Sequence, residues 1–356
     1  MAEENSFSEE KLSAVHDLEG RTLKTGWKVI DKVNKKPNST GGGFSVCYIV
    51  EKNGQKGFLK TLNLKAFFKD EHQNIAETFA EMLNTFNYEK GVLLRCKNKN
   101  FSKVSKLLEA SEENIKGYLF ANVLYMIFEL AENDVRNHLN FTNAIDTAWK
   151  LRSLHNIATG LKQLHSIEIS HQDLKPSNVF VYDSKVSKLG DLGRSLCSTL
   201  ASPHSEKDFS GDYGYAPPEV YHGYALPEWK DKVFAVDTFL LGSLTVFYFT
   251  GQSMASLLQQ SLDPNINIHT LNFDNALPYW IDAFENAIKI FEEEIATYEN
   301  KDKLLELVRM LCFPDPRKRG HNKNVLERGS NFQLYRFIEH FNLLARKAEY
   351  KITQSK

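Results

Sequence analysis

At 356 residues the chain can hold one large domain or two packed lobes, and 42% hydrophobic residues supply a substantial core. With 44 Lys and Arg against 45 Asp and Glu the net charge is −1, without the strongly basic balance usual in a nucleic-acid binder. Four scattered cysteines (Cys47, Cys96, Cys197, Cys312) make no CxxC pair, which speaks against a disulfide framework or zinc site and for a reducing, cytoplasmic setting.

The opening MAEENSFSEEK is acidic and polar, unlike a signal peptide, and residues 1–25 read as a polar extension. Next come three strand-like runs, WKVIDKV, VCYIV and GFLKTL, separated by NKKPNSTGGG and KNGQK. Two adjacent hairpin signals predict an antiparallel sheet. Over 146–166 the apolar residues Leu151, Leu154, Ile157, Leu161 and Leu164 fall on one helical face. After residue 230 the pattern is mostly helical.

The run VFAVDTFLLGSLTVFYF is shorter than the roughly 20 apolar residues a bilayer requires, and it contains Asp237, so it reads as a buried core helix. Later, ALPYWIDAFENAIKIFEEEIATY is amphipathic, and packing on the helical lobe is favoured over docking of a partner. The expected fold is α+β, with boundaries at 26–131 for a sheet lobe, 132–347 for a helical lobe and 348–356 for a tail.

The chemistry concentrates in HQDLKPSN. Asp173, Lys175 and Asn178 put a carboxylate, a cation and an amide oxygen in one turn-rich loop, able to orient a hydroxyl, neutralise a phosphoryl group and ligate a hard cation. Alone this fits a solvated turn equally well. Thirteen residues past Asn178, KLGDLG supplies Asp191 beside Gly190 and Gly193, a second oxygen donor for magnesium. Upstream, the glycines of TGGGFS offer bare backbone N–H groups for a close approach to phosphates, and Lys60 follows on the next strand.

Together these motifs resemble the eukaryotic-like Ser/Thr protein kinase family over roughly residues 26–345. The resemblance implies a bilobal fold, ATP and Mg2+ as cofactors, and Ser/Thr hydroxyls of protein substrates as acceptors. It makes Asp173 the catalytic base, Lys175 its phosphoryl-steadying partner, and Asn178 and Asp191 the magnesium ligands. Lys60 matches the lysine gripping the α- and β-phosphates, with Glu89 as its favoured helix partner and Glu81 the alternative. Thr40, Gly41, Gly42, Gly43, Phe44 and Ser45 match the glycine loop. Phe128 matches the gatekeeper, with Glu129 to Ala131 offering backbone bonds to adenine. Phe58, Cys47 and Phe180 are expected around the base, either as an aromatic sandwich or with Phe58 partly filling the pocket. Glu219, in GDYGYAPPEV, and Arg319, in DPRKRG, match an ion pair that anchors the activation segment.

Five positions depart from the family pattern. Gln172 replaces the arginine that receives an activation-segment phosphate, which implies activity independent of that switch, with autophosphorylation still open. Leu192 replaces a phenylalanine. Thr40 and Ser45 stand where glycines are usual. Asp212 replaces a threonine and either pairs with Lys175 or repels Asp173. The looseness of these matches and the lack of appended sensor domains resemble bacterial or phage-associated members. Two other classes compete: a catalytically dead scaffold, opposed by the four retained groups, and a small-molecule phosphotransferase, opposed by the Glu219, Asp237 and Arg319 region.

Overall fold

The computed structural model describes residues 13–33, 45–67, 74–139, 147–324 and 329–354. The chain divides into two compact units, Met1–Asn100 with Ser105–Ala131, and Phe101–Val104 with Glu132–Lys356.

The first unit carries a five-stranded antiparallel sheet in the order β1-β2-β3-β5-β4. Its strands are β1 (Lys28–Lys32), β2 (Ser45–Lys52), β3 (Gln55–Leu62), β4 (Leu107–Asn114) and β5 (Asn122–Glu129). Val46, Tyr48 and Val50 of β2 are buried while Cys47 and Ile49 between them are half-buried, the period-two pattern of a sheet with one core face. A long helix, α1 (Ile75–Asn98), belongs to the same unit. Its start is capped by the Asn74 side chain, which accepts from the Ala76 N–H at 2.9 Å.

The polar extension expected over 1–25 is corrected for its described part. Ala14, Val15, Leu18 and Leu23 are buried in the sheet's core with Trp27, Val29 and Tyr125. The buried Tyr48 hydroxyl donates to the Val15 carbonyl at 2.7 Å. Polar residues dominate the composition here, and four apolar positions among them suffice to fix the segment.

The second unit begins with β6 (Asn133–Asp134), α2 (Val135–His138) and α3 (Thr147–His165), followed by β7 (Ile169–Ser170), β8 (Val179–Tyr182), β9 (Val186–Leu189) and β10 (Leu196–Cys197). The helices α4 (Trp229–Thr250), α5 (Met254–Ser261), α6 (Phe273–Glu294), α7 (Lys301–Cys312) and α8 (Tyr335–Gln354) complete it. The five apolar residues expected on one face of α3 are all fully buried.

Residues 101–104 pack with this unit because the Leu189 N–H donates to the Lys103 carbonyl at 2.9 Å. Gly160 of α3 makes that approach possible, since a Cβ there would lie 2.6 Å from the Lys103 carbonyl oxygen. Although α4 is long and apolar enough to cross a membrane, most of it is buried here, including Asp237. The amphipathic α6 buries Trp280, Phe284 and Phe291. The tail expected at 348–356 is also corrected: α8 continues to Gln354, and Glu349 takes a two-pronged bond from Arg152 of α3, at 2.8 Å on both oxygens.

Candidate active site

In the sheet unit, Lys60 lies on β3 opposite Cys47 of β2 and Met126 of β5. Phe58, two residues earlier, stands opposite Ile49 and Phe128. Directly opposed residues share a sheet face, so Cys47, Phe58, Lys60 and Phe128 are presented together. Ser45 opens β2 opposite Leu62. The Lys60 ammonium donates to both Glu89 oxygens, at 3.0 and 3.3 Å, and Glu89 is buried while Lys60 keeps 18% of its side chain exposed. Of the two acids weighed for this role, Glu89 holds the lysine. Glu129 ends β5; its N–H donates to the Lys106 carbonyl and its side chain accepts from the Lys106 N–H. Ala131 ends the unit. Thr40, Gly41, Gly42, Gly43 and Phe44 lie outside the described residues.

In the helical unit, α3 and β7 deliver the chain into the HQDLKPSN loop, and Pro176–Asn178 form a single tight turn before β8. The loop is held from below by Asp237 of α4, whose two oxygens accept from the His171 and Gln172 N–H groups, each at 2.8 Å. His165 of α3 adds a third bond to Asp237 at 2.8 Å. Burial alone would raise the Asp237 pKa, but the His165 bond and the loop N–H groups outweigh it, leaving the carboxyl below its ordinary range.

These bonds fix Gln172 at φ +64, in the left-handed region that a non-glycine residue rarely occupies. Its side-chain amide donates inward, to the Ser170 hydroxyl at 2.6 Å and the Val233 carbonyl at 2.9 Å. The position thus presents no cation to the activation segment.

Asp173 is 5% exposed. Burial pushes its carboxyl above the ordinary value, aided by Asp191 and opposed by Lys175, Arg194 and His171. The Asn178 amide nitrogen donates to the Asp173 backbone oxygen at 2.8 Å and to its Oδ2 at 3.0 Å. The Asn178 Oδ1, which takes no part in these bonds, accepts from the Ser177 hydroxyl at 3.4 Å. Lys175 Nζ lies 3.3 Å from Asp173 Oδ1 and 3.0 Å from Asp212 Oδ2.

The Gly190 N–H donates to the Asn178 carbonyl at 3.0 Å, and His171 Nε2 meets the Gly190 carbonyl at 3.1 Å, so the two motifs are bonded to each other. A Cβ on Gly190 would sit 2.1 Å from the Phe180 ring, which accounts for glycine here. Asp191 follows at φ +54, exposed, and Leu192 behind it is fully buried. An amide oxygen and a carboxylate from adjoining segments fit magnesium, which takes one or two protein oxygens and completes its octahedron with phosphate and water.

Glu219 and Arg319 form the expected pair, with 2.6 and 2.8 Å between matched atoms and both side chains buried. Sequence reading missed Arg194, whose guanidinium donates to the Gly211 carbonyl at 2.8 Å and the Ser210 carbonyl at 3.3 Å. Its signal was its place directly after DLG. Also missed was the link from His171 to Gly190, because a histidine inside a motif carries no mark of which backbone oxygen it will reach.

A protein-family model described as protein kinase domain matches residues 40–329. Among curated proteins, cyclin-dependent kinase-like 2 of Mus musculus is 24% identical over 71% of this chain and 50% of its own length. Serine/threonine-protein kinase DCLK1 of Rattus norvegicus is 26% identical over 54% of the chain and 43% of its own. An Aurora kinase of Debaryomyces hansenii is 26% identical over 42% and 35%. The chain thus aligns with half or less of the length of these relatives.

Proposed function

Because this chain belongs to the protein kinase domain family, with the sheet and helical units as its two lobes, we propose that it transfers the γ-phosphate of ATP to Ser/Thr hydroxyls of protein substrates. The observation that carries the reading is the Asp173, Lys175 and Asn178 constellation, bonded through Gly190 to the segment that ends in Asp191.

Phosphoryl transfer asks little covalent chemistry of a protein; positioning and charge do most of it. Asp173 accepts from the substrate hydroxyl and orients it. Lys175, beside it, steadies the negative oxygens of the group in transit. Asn178 and Asp191 would hold magnesium, which supplies charge neutralisation on the phosphates. Lys60, aimed by its bonds to Glu89, binds the α- and β-phosphates.

Retention of Lys60, Asp173, Asn178 and Asp191 weighs against a dead scaffold. The Glu219–Arg319 anchor and the Asp237 support weigh against a small-molecule phosphotransferase. The experiment is transfer from radiolabelled ATP, with and without magnesium, to a generic protein or to small hydroxyl acceptors. Magnesium-dependent label on protein phosphoserine and phosphothreonine supports the reading; label on small acceptors alone, or none, overturns it. Gln172 further supports activity independent of activation-segment phosphorylation, and the reducing, cytoplasmic setting argued from the cysteines remains part of the proposal.

A further inference from the structure

A cavity of about 430 Å3 opens in the helical unit, between the stretch 196–207 of the activation segment and the first turns of α4. One side of it is apolar. Leu196 and Trp229 pack against the buried Val233, Phe234 and Phe332, and Leu200 joins them in the lining. The serine hydroxyls that line it are spent on the protein. Ser198 donates to Glu168 at 2.5 Å, Ser202 to the Ser195 carbonyl at 3.3 Å, and Ser205 to the Ser202 carbonyl at 2.9 Å. Two cations complete the lining, the exposed Lys207 and the half-buried Lys232. Among the described residues no carboxylate lines the cavity, and neither lysine makes an ion pair.

We propose that this cavity binds a small organic anion, with its apolar body against Leu196, Leu200 and Trp229 and its acidic group held by Lys207 and Lys232. None of the lining residues belongs to the phosphotransfer site, so the proposal is independent of that reading. The volume and the mix of an apolar surface with a few polar groups are those of a small-molecule site. Apolar burial supplies affinity in proportion to the area removed from water, but it does not choose a charge. The two ammonium groups do choose, since no lining carboxylate offsets them. Lysine is a compact point charge on a flexible stem, without the planar fork that fits one oxyanion geometry. The cavity therefore selects a class, carboxylate, sulfonate or phosphate, rather than one acid. The Ser202 and Ser205 bonds close this stretch on itself, so the ligand meets a largely preformed wall.

The probes are naphthalene-2-sulfonate, the neutral naphthalene-2-methanol, and inorganic sulfate. Each is titrated calorimetrically into the full chain, with excess ADP present to occupy a nucleotide site. The sulfonate should bind one-to-one, at least about tenfold more tightly than either control, because it alone carries both the body and the charge. The double change Lys207→Gln and Lys232→Gln should weaken it roughly tenfold, about threefold for each partly exposed cation. Lys207→Arg with Lys232→Arg keeps both charges and should stay within about threefold of wild type. Equal affinity for the sulfonate and the neutral alcohol overturns the proposal, as does unchanged sulfonate binding in the glutamine double variant. Equal weakening in the glutamine and arginine variants reports disturbed packing and also overturns it, and so does an absence of sulfonate binding. None of these results bears on phosphate transfer, which is measured separately.

Discussion

Arg319 directs two of its N–H groups at Glu219 and the other three at the carbonyls of Phe313, Ala235 and Pro314, with distances from 2.6 to 3.2 Å. Every donor of a fully buried guanidinium is thus satisfied, the condition under which a buried charge is tolerated. The pair ties the end of the activation segment to the loop after α7. Arg319→Ala leaves the Glu219 carboxylate buried without its cation and should cost about 3–5 kcal/mol. Thermal or denaturant unfolding checks this, and an unchanged midpoint removes the pair from the account.

Activity should not require activation-segment phosphorylation, since the Gln172 amide is committed to Ser170 and Val233. Of the six serine and threonine hydroxyls in that segment, Ser195, Ser202 and Ser210 are buried and bonded within the segment or to Leu192, whereas Ser198, Thr199 and Ser205 are exposed. The triple change Ser198→Ala, Thr199→Ala and Ser205→Ala should keep turnover within about threefold of wild type, because no guanidinium stands at 172 to read a phosphate. Collapse of turnover, with recovery in the triple Glu form, would refute this.

His222 sets a pH dependence of stability. The Trp280 indole N–H donates to its Nε2 at 2.8 Å, and its Nδ1 meets the Leu271 carbonyl at 2.8 Å. Indole only donates, so the ring is neutral with its proton on Nδ1. Burial first, and then His269, hold its pKa below the ordinary histidine value against the Leu271 bond. The folded state therefore binds fewer protons than the unfolded state, and this contribution is complete above about pH 6.5 and lost as pH falls toward the depressed value. Melting temperature measured from pH 7.5 down to 5 should fall less steeply in His222→Gln than in wild type. Parallel slopes would rule out the assignment.

Much of this was legible in the sequence because it depends on periodicity or on chemistry at fixed offsets. The three N-terminal strand runs and the apolar face of α3 follow from periodicity, and the Glu219–Arg319 pair was implied by the resemblance to the kinase family. What stayed hidden depends on where segments distant in sequence come together. Glu81 and Glu89 lie eight residues apart on one helix, and only the packing of α1 against the sheet decides between them. Asp212 had two opposite readings because its effect turns on whether Lys175 reaches it. Residues 13–25 looked like an extension because their four core contacts are outnumbered by polar neighbours.

In the proposed reaction Asp173 orients the acceptor hydroxyl for transfer from ATP. Replacing it by asparagine keeps the size of the side chain and removes the charge. Initial rates of γ-phosphate transfer to a generic protein substrate, wild type beside Asp173→Asn at saturating magnesium and ATP, test this most directly. The wild type should transfer phosphate, and the variant should lose roughly a hundredfold or more of that rate. Near-normal turnover in Asp173→Asn contradicts it.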